Sequence, residues 1–390
     1  MQARAEAPIY LDYAATTPVD PAVATAMAEC LTADGVFGNP ASTTHAYGRE
    51  AQQRVESASG AVAALVGANA RDIVLTSGAT ESNNLAILGV MRANADRGRH
   101  LVTARTEHRA VLDPCTALER EGFSVTWLVP GPDGRVVPEQ VAEALRPDTQ
   151  LVSLMHVNNE IGVIQDIAAI ARLCRERAVR CHSDAAQSVG KIPCQVAELG
   201  VDFLSFTAHK IYGPKGIGAL YVAPAARGAI APILFGGGQQ RGLRSGTLAT
   251  HQVVGFGVAA ELAARVRETE SQQLGLLRER LLRALDGLPG LHFNGHAQQR
   301  VPGIVSISVA GVEGESLVYG LAELALSTGS ACSSASREPS YVLRALGHAP
   351  TLAESTLRIS FGRYTTPAEV DRAGAAIVRE VLRLRRATPA

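Results

Sequence analysis

Seven short apolar runs rich in β-branched residues alternate with longer stretches of helical pattern between Arg71 and Pro224. That alternation limits the possible folds more than any other feature of the chain. The runs are RDIVLTSG, HLVTARTEH, FSVTWLVP, QLVSLMHVNNE, VRCHSDAAQ, VDFLSFTAHK and GIGALYVAP. Between them lie ESNNLAILGVMRANADRG, AVLDPCTALEREG, PEQVAEALRP, IQDIAAIARLCRERA and QVAELG. Strands alternating with helices predict an α/β fold with a mainly parallel seven-stranded sheet and helices on both faces. After the Gly-rich FGGGQQRGLRSGTL the texture changes: a helical stretch from about Ala249 to Leu285 leads into GIVSISVAG, ALSTGSACS and STLRISFG, with helices between. A smaller α+β domain is expected there. At 390 residues with 46% apolar content, the chain can build two cores. The expected division is a large domain over 16–265 and a small one from 1–15 and 266–390, with a loop at about 327–338 in the small domain.

Charge and composition remove several classes of function. Lys+Arg and Asp+Glu both number 37, so no electrostatic argument favours nucleic acid or a membrane surface as partner. No run approaches the ~18 apolar residues of a membrane span. The opening MQARAEAPIYLDYAATTP has no apolar signal region, and a cytoplasmic protein is expected. None of the six cysteines forms a C-x-x-C pair, which indicates neither a zinc site nor a dithiol redox couple. Few cysteines in a long chain also fit a reducing compartment. Cys30, Cys115 and Cys174 fall in helix-like segments, Cys181 at the end of a strand-like run, and Cys194 in a loop-like one. The first four read as small hydrophobes. Cys332 differs, because STGSACSSAS surrounds it with residues too small and polar to bury a thiol. A lone cysteine still needs a chemical partner before it counts as a nucleophile.

In an open α/β sheet, ligands gather at the carboxyl ends of the strands. LTSGATESNN follows one run and opens a helix with Gly78, Ala79 and Thr80, small residues that leave N–H groups free for an anion. Taken alone, an ordinary helix cap is the better explanation of this stretch. Asp184 ends another run, with Gln187 three residues on. It could be an N-cap, or the fixed anion that a pyridine nitrogen requires. Lys210, flanked by Thr207 and His209, stands between an apolar run and a Gly-rich turn. A lysine covering the strand end with its stem is the plain explanation. An amine beside apolar walls and another cation is also suited to forming an imine.

Taken together, these motifs resemble the fold-type I pyridoxal phosphate enzymes. The set YLDYAATTP, GNPAS, TSGATESNN, TEHRAVL, MHVNNEIGV, HSDAAQSVGK, AHKIYGPKGIGALYV, RSGTL and GSACSSAS is similar to the cysteine desulfurases of the IscS/NifS group, in the class V aminotransferase family. The likeness runs from about Tyr10 past Arg363. It implies pyridoxal 5'-phosphate joined to Lys210, with Asp184 on the pyridinium nitrogen and His108 stacked on the ring as acid/base. It implies that Asn159 and Gln187 hydrogen-bond the cofactor, and that Ala79, Thr80, Thr207 and His209 hold its phosphate. Thr247 would reach in from the other subunit of a homodimer. Asn39 and Arg358 would hold the carboxylate of L-cysteine, Arg358 by bidentate pairing. Cys332 would take the sulfur as a persulfide, leaving alanine, and pass it to an acceptor protein for iron-sulfur assembly or tRNA thiolation. No resident metal is implied, although Cys332 could transiently ligate a cluster with a scaffold partner.

Two departures from the family pattern stand out. Phe235 occupies a position where histidine is common, and the chain stops soon after LRLRRA, where IscS proteins usually carry a tail for the scaffold. Weak scaffold binding is therefore expected. A selenocysteine lyase or another pyridoxal phosphate aminotransferase remains an alternative, as does a non-catalytic iron-sulfur or sulfur-carrier protein. The thiol loop argues against a plain aminotransferase, and the missing cysteine cluster argues against a cluster carrier.

Overall fold

A computed structural model describes residues 7–328 and 339–387. All seven expected runs form strands of one sheet: Ile73–Thr76, His100–Ala104, Ser124–Leu128, Thr149–Ser153, Arg180–Asp184, Phe203–Thr207 and Gly218–Val222. In space they follow the order 73–76, 218–222, 203–207, 180–184, 149–153, 100–104, 124–128. Four of the six neighbouring pairs are parallel, and Gly218–Val222 is antiparallel to the strands on both sides of it. Periodicity cannot give strand direction, so the antiparallel insertion was invisible in the sequence.

The strands are apolar throughout because both faces are covered. Leu75, Val102, Val152, Leu204 and Phe206 point into one core, while Val74, Leu101, Leu151, Phe203 and Leu220 point into the other. The second core is closed by the helices Ala79–Ala93 and Arg109–Arg120; the first receives Val55, Ala58 and Val62 from Ala46–Leu65 and Ile167, Ile170 and Cys174 from Ile167–Glu176. Phe203 and Phe206 are wholly enclosed, and truncating either to Ala costs roughly 3–5 kcal/mol by the usual core figures. Gly218 allows the closest approach: a Cβ there would lie 2.6 Å from the Cα of Gly78. The strand end and the helix start at Ala79 therefore touch backbone to backbone.

The 35-residue helix Thr250–Ala284 matches the expected helical stretch almost residue for residue. Val253, Phe256, Ala259, Ala260 and Ala263 join the first core of the sheet, whereas Leu277 and Leu281 join a separate core. The core partners of this continuous helix therefore change between Ala263 and Leu277. The separate core is built on an antiparallel sheet of Leu291–Phe293, Ile304–Val309 and Thr356–Ser360. Ile9–Tyr10 pairs in parallel with Leu324–Ala325. Among the described residues, the expected strand in ALSTGSACS is seen as that short pair plus a bridge from Ser327 to Arg358. Cys30 lies in the turn after the helix Pro21–Ala28, and Cys30, Cys115, Cys174, Cys181 and Cys194 are all buried free thiols. No helix among the described residues is long and apolar enough to cross a membrane.

Candidate active site

The carboxyl ends of the strands surround a cavity of about 560 Å³. The helix Ala79–Ala93 opens onto it with Gly78, Ala79 and Thr80, and no side chain caps that end. Its first-turn N–H groups and positive dipole end are available to an anion. Glu81 does not intrude, because it folds back onto the Ser77 N–H at 2.7 Å and is held by Arg244 at 2.8 Å. Those hydrogen bonds hold the Glu81 carboxyl below its ordinary range against the opposing effect of burial. Thr207 and His209 face the same cavity from the end of Phe203–Thr207 and the turn after it. His209 contacts Thr16 at 3.1 Å, and burial with three nearby lysines lowers its pKa to about 4.

Lys210 closes the short helical turn Ala208–Lys210. Its Nζ donates to the carbonyls of Ala14 and Ala15 at 2.5 and 2.6 Å, so the amine sits at the cavity wall rather than in bulk water. The turn is locked from two directions. The His209 carbonyl accepts from Thr17, and Tyr212 takes a left-handed φ of 65° while accepting from the Arg363 N–H at 2.6 Å. A non-glycine residue there carries strain that the surrounding contacts must hold.

Asp184, at the end of Arg180–Asp184, accepts from Asn83 Nδ2 at 2.6 Å and from the Ala186 N–H at 2.9 Å. Both donors fix its carboxylate inside the cavity. The other amide atom, Asn83 Oδ1, is buried with no hydrogen-bond partner among the described residues. Gln187 also lines the cavity, with Nε2 donating to the Ala14 carbonyl at 2.8 Å. His108 caps the helix Arg109–Arg120: its Nδ1 accepts the Ala110 N–H at 3.1 Å, which puts the proton of the neutral ring on Nε2. Burial, above all, keeps its pKa below the usual histidine value, while Asp184 pulls the other way.

Asn159 and Arg358 complete the opposite wall. Arg358, in Thr356–Ser360, is 3% exposed and donates to the Asn159 carbonyl at 3.0 Å and to Asp12 at 2.8 Å. Strand 356–360 also holds Ser327 beside this wall, because Ser327 and Arg358 exchange backbone bonds of 3.3 and 2.7 Å. Cys332, with the rest of 329–338, lies outside the described residues. The chain resumes beside the same site. Ser340 donates to Glu160 at 2.5 Å and Tyr341 to the Glu107 carbonyl at 2.8 Å.

Two expected residues stay away from this cavity. Asn39 is exposed, and its Oδ1 accepts the N–H of Ala41. Thr247 is exposed in the segment before the long helix, so within one chain it holds nothing in the cavity. Three residues that the motif reading passed over belong to the site. Asn83 is four residues after Ala79, hence on the same helix face, and was legible as part of ESNN. Asp12 stands in YLDYAATTP, but nothing local ties it to an arginine 346 residues away. Glu107, next to His108, accepts the Met155 N–H at 3.0 Å; complete burial first, and Asp184 after it, push its carboxyl well above the ordinary range.

Residues 9–373 match the family model described as aminotransferase class-V. The chain belongs to that family. It is 56% identical over 382 residues to the cysteine desulfurase IscS of Aeromonas hydrophila subsp. hydrophila, covering 98% of this chain and 95% of that one. The structure of a NifS-like protein superposes with a TM-score of 0.90 at 34% identity, covering 97% of this chain and all of the other. SspA in complex with cysteine gives a TM-score of 0.82 at 36% identity, covering 92% of this chain and 100% of that one. The family's cofactor is pyridoxal 5'-phosphate, and the cavity fits it. An amine, a fixed carboxylate, an uncapped helix start and the orphaned Asn83 oxygen converge on one polar, half-enclosed space.

Proposed function

We infer that the protein is a pyridoxal phosphate-dependent cysteine desulfurase, which converts L-cysteine to L-alanine and takes the sulfur onto Cys332 as a persulfide. The observation that carries this reading is the convergence of Lys210, Asp184, His108 and Arg358 on one cavity, with both described ends of the Cys332 segment beside it. Lys210 is the covalent anchor, Asp184 holds the proton of the ring nitrogen, and the helix start at Ala79 and Thr80 with Thr207 and His209 receives the phosphate. Gln187 and Asn159 hydrogen-bond the ring substituents. Bound there, the cofactor supplies an electron sink for the pair left at Cα when a proton departs.

The chain's own groups do the rest. Arg358, already aligned by Asp12 and the Asn159 carbonyl, receives the substrate carboxylate, with Asn39 proposed as its helper. Lys210, whose amine stands at the cavity wall, would move the Cα proton. His108, neutral because it is buried, takes or gives a proton at Nε2. The Cys332 thiolate attacks the substrate sulfur: an S–S bond forms, the Cβ–S bond breaks, and its electron pair goes to Cβ, which protonation turns into the methyl group of alanine. A thiol of ordinary pKa near ~8.5 is mostly protonated at neutral pH, so a nearby base must help.

The same reading makes the enzyme a cytoplasmic homodimer in which Thr247 of a second copy completes the phosphate cup. The persulfide then passes to an acceptor protein. The purified protein should be yellow, and adding L-cysteine should change its visible spectrum and release alanine. Lys210→Ala should lose the borohydride-trappable link to the cofactor. Cys332→Ala should keep the cofactor and the spectral response to cysteine yet release no alanine. Parent-like alanine release from Cys332→Ala would overturn the assignment of the sulfur acceptor.

A further inference from the structure

Four residues beyond Gln187 lies a second lysine that the reaction as derived does not use. Lys191 Nζ donates to Gln187 Oε1 at 2.6 Å. The other end of the same carboxamide, Nε2, donates to the Ala14 carbonyl at 2.8 Å, and that carbonyl also receives Lys210 Nζ at 2.5 Å. The two amines are therefore joined through one amide and one backbone oxygen. Both also line a second, small cavity of about 50 Å³.

An amide is nearly symmetric in shape, so packing alone leaves its oxygen and nitrogen interchangeable. A lysine amine in its charged form has three donors and no acceptor, and this breaks the symmetry. The oxygen of Gln187 must face Lys191, and the nitrogen must face Ala14 and Lys210. A reversed amide would set two N–H donors against an ammonium and two oxygens against each other at Ala14.

The geometry points to Lys191 as a positioning residue for the desulfurase reaction: by holding Gln187 Oε1 it makes Gln187 present an N–H donor on the Lys210 side of the cavity. This rests on the function proposed above. A donor at that place favours a negatively charged oxygen on the cofactor over a neutral hydroxyl, and so acts on the state of the bound cofactor rather than on substrate capture. The lysine is placed at a cost. Burial brings its pKa down to about 7, with Lys210 and Arg358 adding to the drop and Glu270 opposing it. A surface position would have been free of that penalty.

The test uses the cofactor-loaded enzyme and the visible absorption band together with steady-state kinetics on L-cysteine. Lys191→Met, which fills the space without a donor, should move the band and lower kcat about tenfold while KM stays within about threefold. Gln187→Leu should produce the same change, and the double variant should be no worse than either single one, since both remove one and the same device. Lys191→Arg keeps a charged donor of similar reach and should restore the parent band, which provides a second reading should the Met variant fold poorly. A parent-like band and kcat in Lys191→Met, multiplying losses in the double variant, or a Lys191→Arg band that remains shifted would each overturn the role of Lys191 alone. A parent protein with no visible band would overturn the desulfurase reading as well, which keeps the two failures distinguishable.

Discussion

Asp184 shows how a single side chain acquires its chemistry. A carboxylate at a strand end is unremarkable until two donors, Asn83 Nδ2 and the Ala186 N–H, fix it inside a cavity. Asn83→Ala removes the shorter of the two bonds and frees the carboxylate to turn. The expected result is cofactor binding weakened about tenfold, the scale of one hydrogen bond to a charged group, with the fold intact. Cofactor titration followed by absorbance measures it, and an unchanged dissociation constant would remove Asn83 from the site. Lys210 and Asp184 were legible in the sequence because each ends or follows an apolar run, and strand ends are where α/β folds bind ligands, whereas His108 came from the family resemblance alone. Asp12 and Glu107 were not legible, since their partners Arg358 and Met155 come from segments far away along the chain.

Among the elements, the strand Arg180–Asp184 is tied to both neighbours by a histidine. His182 lies 2.8 Å from Ser153 Oγ through Nδ1 and 2.9 Å from Ser205 Oγ through Nε2, bridging three parallel strands. Full burial keeps it neutral, with a pKa of about 3, and His156 is held at about 4 for the same reason. The unfolded chain protonates both near pH 6.5, so below that value it binds more protons than the folded one. Their contribution is complete above about pH 6.5 and is lost as pH falls toward 4 and 3, at up to about 1.4 kcal/mol per pH unit for each ring. Urea unfolding should accordingly show a lower midpoint at pH 5 than at pH 7. Equal midpoints would mean that these histidines protonate without unfolding. The runs and helices of the large sheet could be located from their periodicity, whereas the antiparallel course of Gly218–Val222 could not, because apolar pattern carries no direction.

Over the whole molecule, Arg363 holds three distant segments together. It pairs with Asp20 ahead of the first helix at 2.8 Å and with Glu270 on the long helix at 3.1 Å, and its guanidinium lies 4.0 Å over the ring of Tyr212. All three ionised groups are less than one-fifth exposed. Arg363→Met leaves two carboxylates without their cation and should cost on the order of 2 kcal/mol, less than a fully buried pair would. It should also reduce activity, because Tyr212 shapes the turn that carries Lys210. A urea midpoint equal to the parent's would show that the network adds nothing to stability. The sequence by itself determined the α/β class, the position of nearly every strand of the large sheet, the long helix, and the residue types gathered at the strand ends. Those follow from local periodicity and from small residues where backbone must meet ligand. Only the tertiary structure decided that Asp12 aligns Arg358, that Asn83 grips Asp184, that Lys191 orients Gln187, and that Asn39 and Thr247 stand outside the cavity of their own chain. Each of these is a contact or a separation between segments far apart along the chain, set by how the layers pack and not by any pattern within a segment.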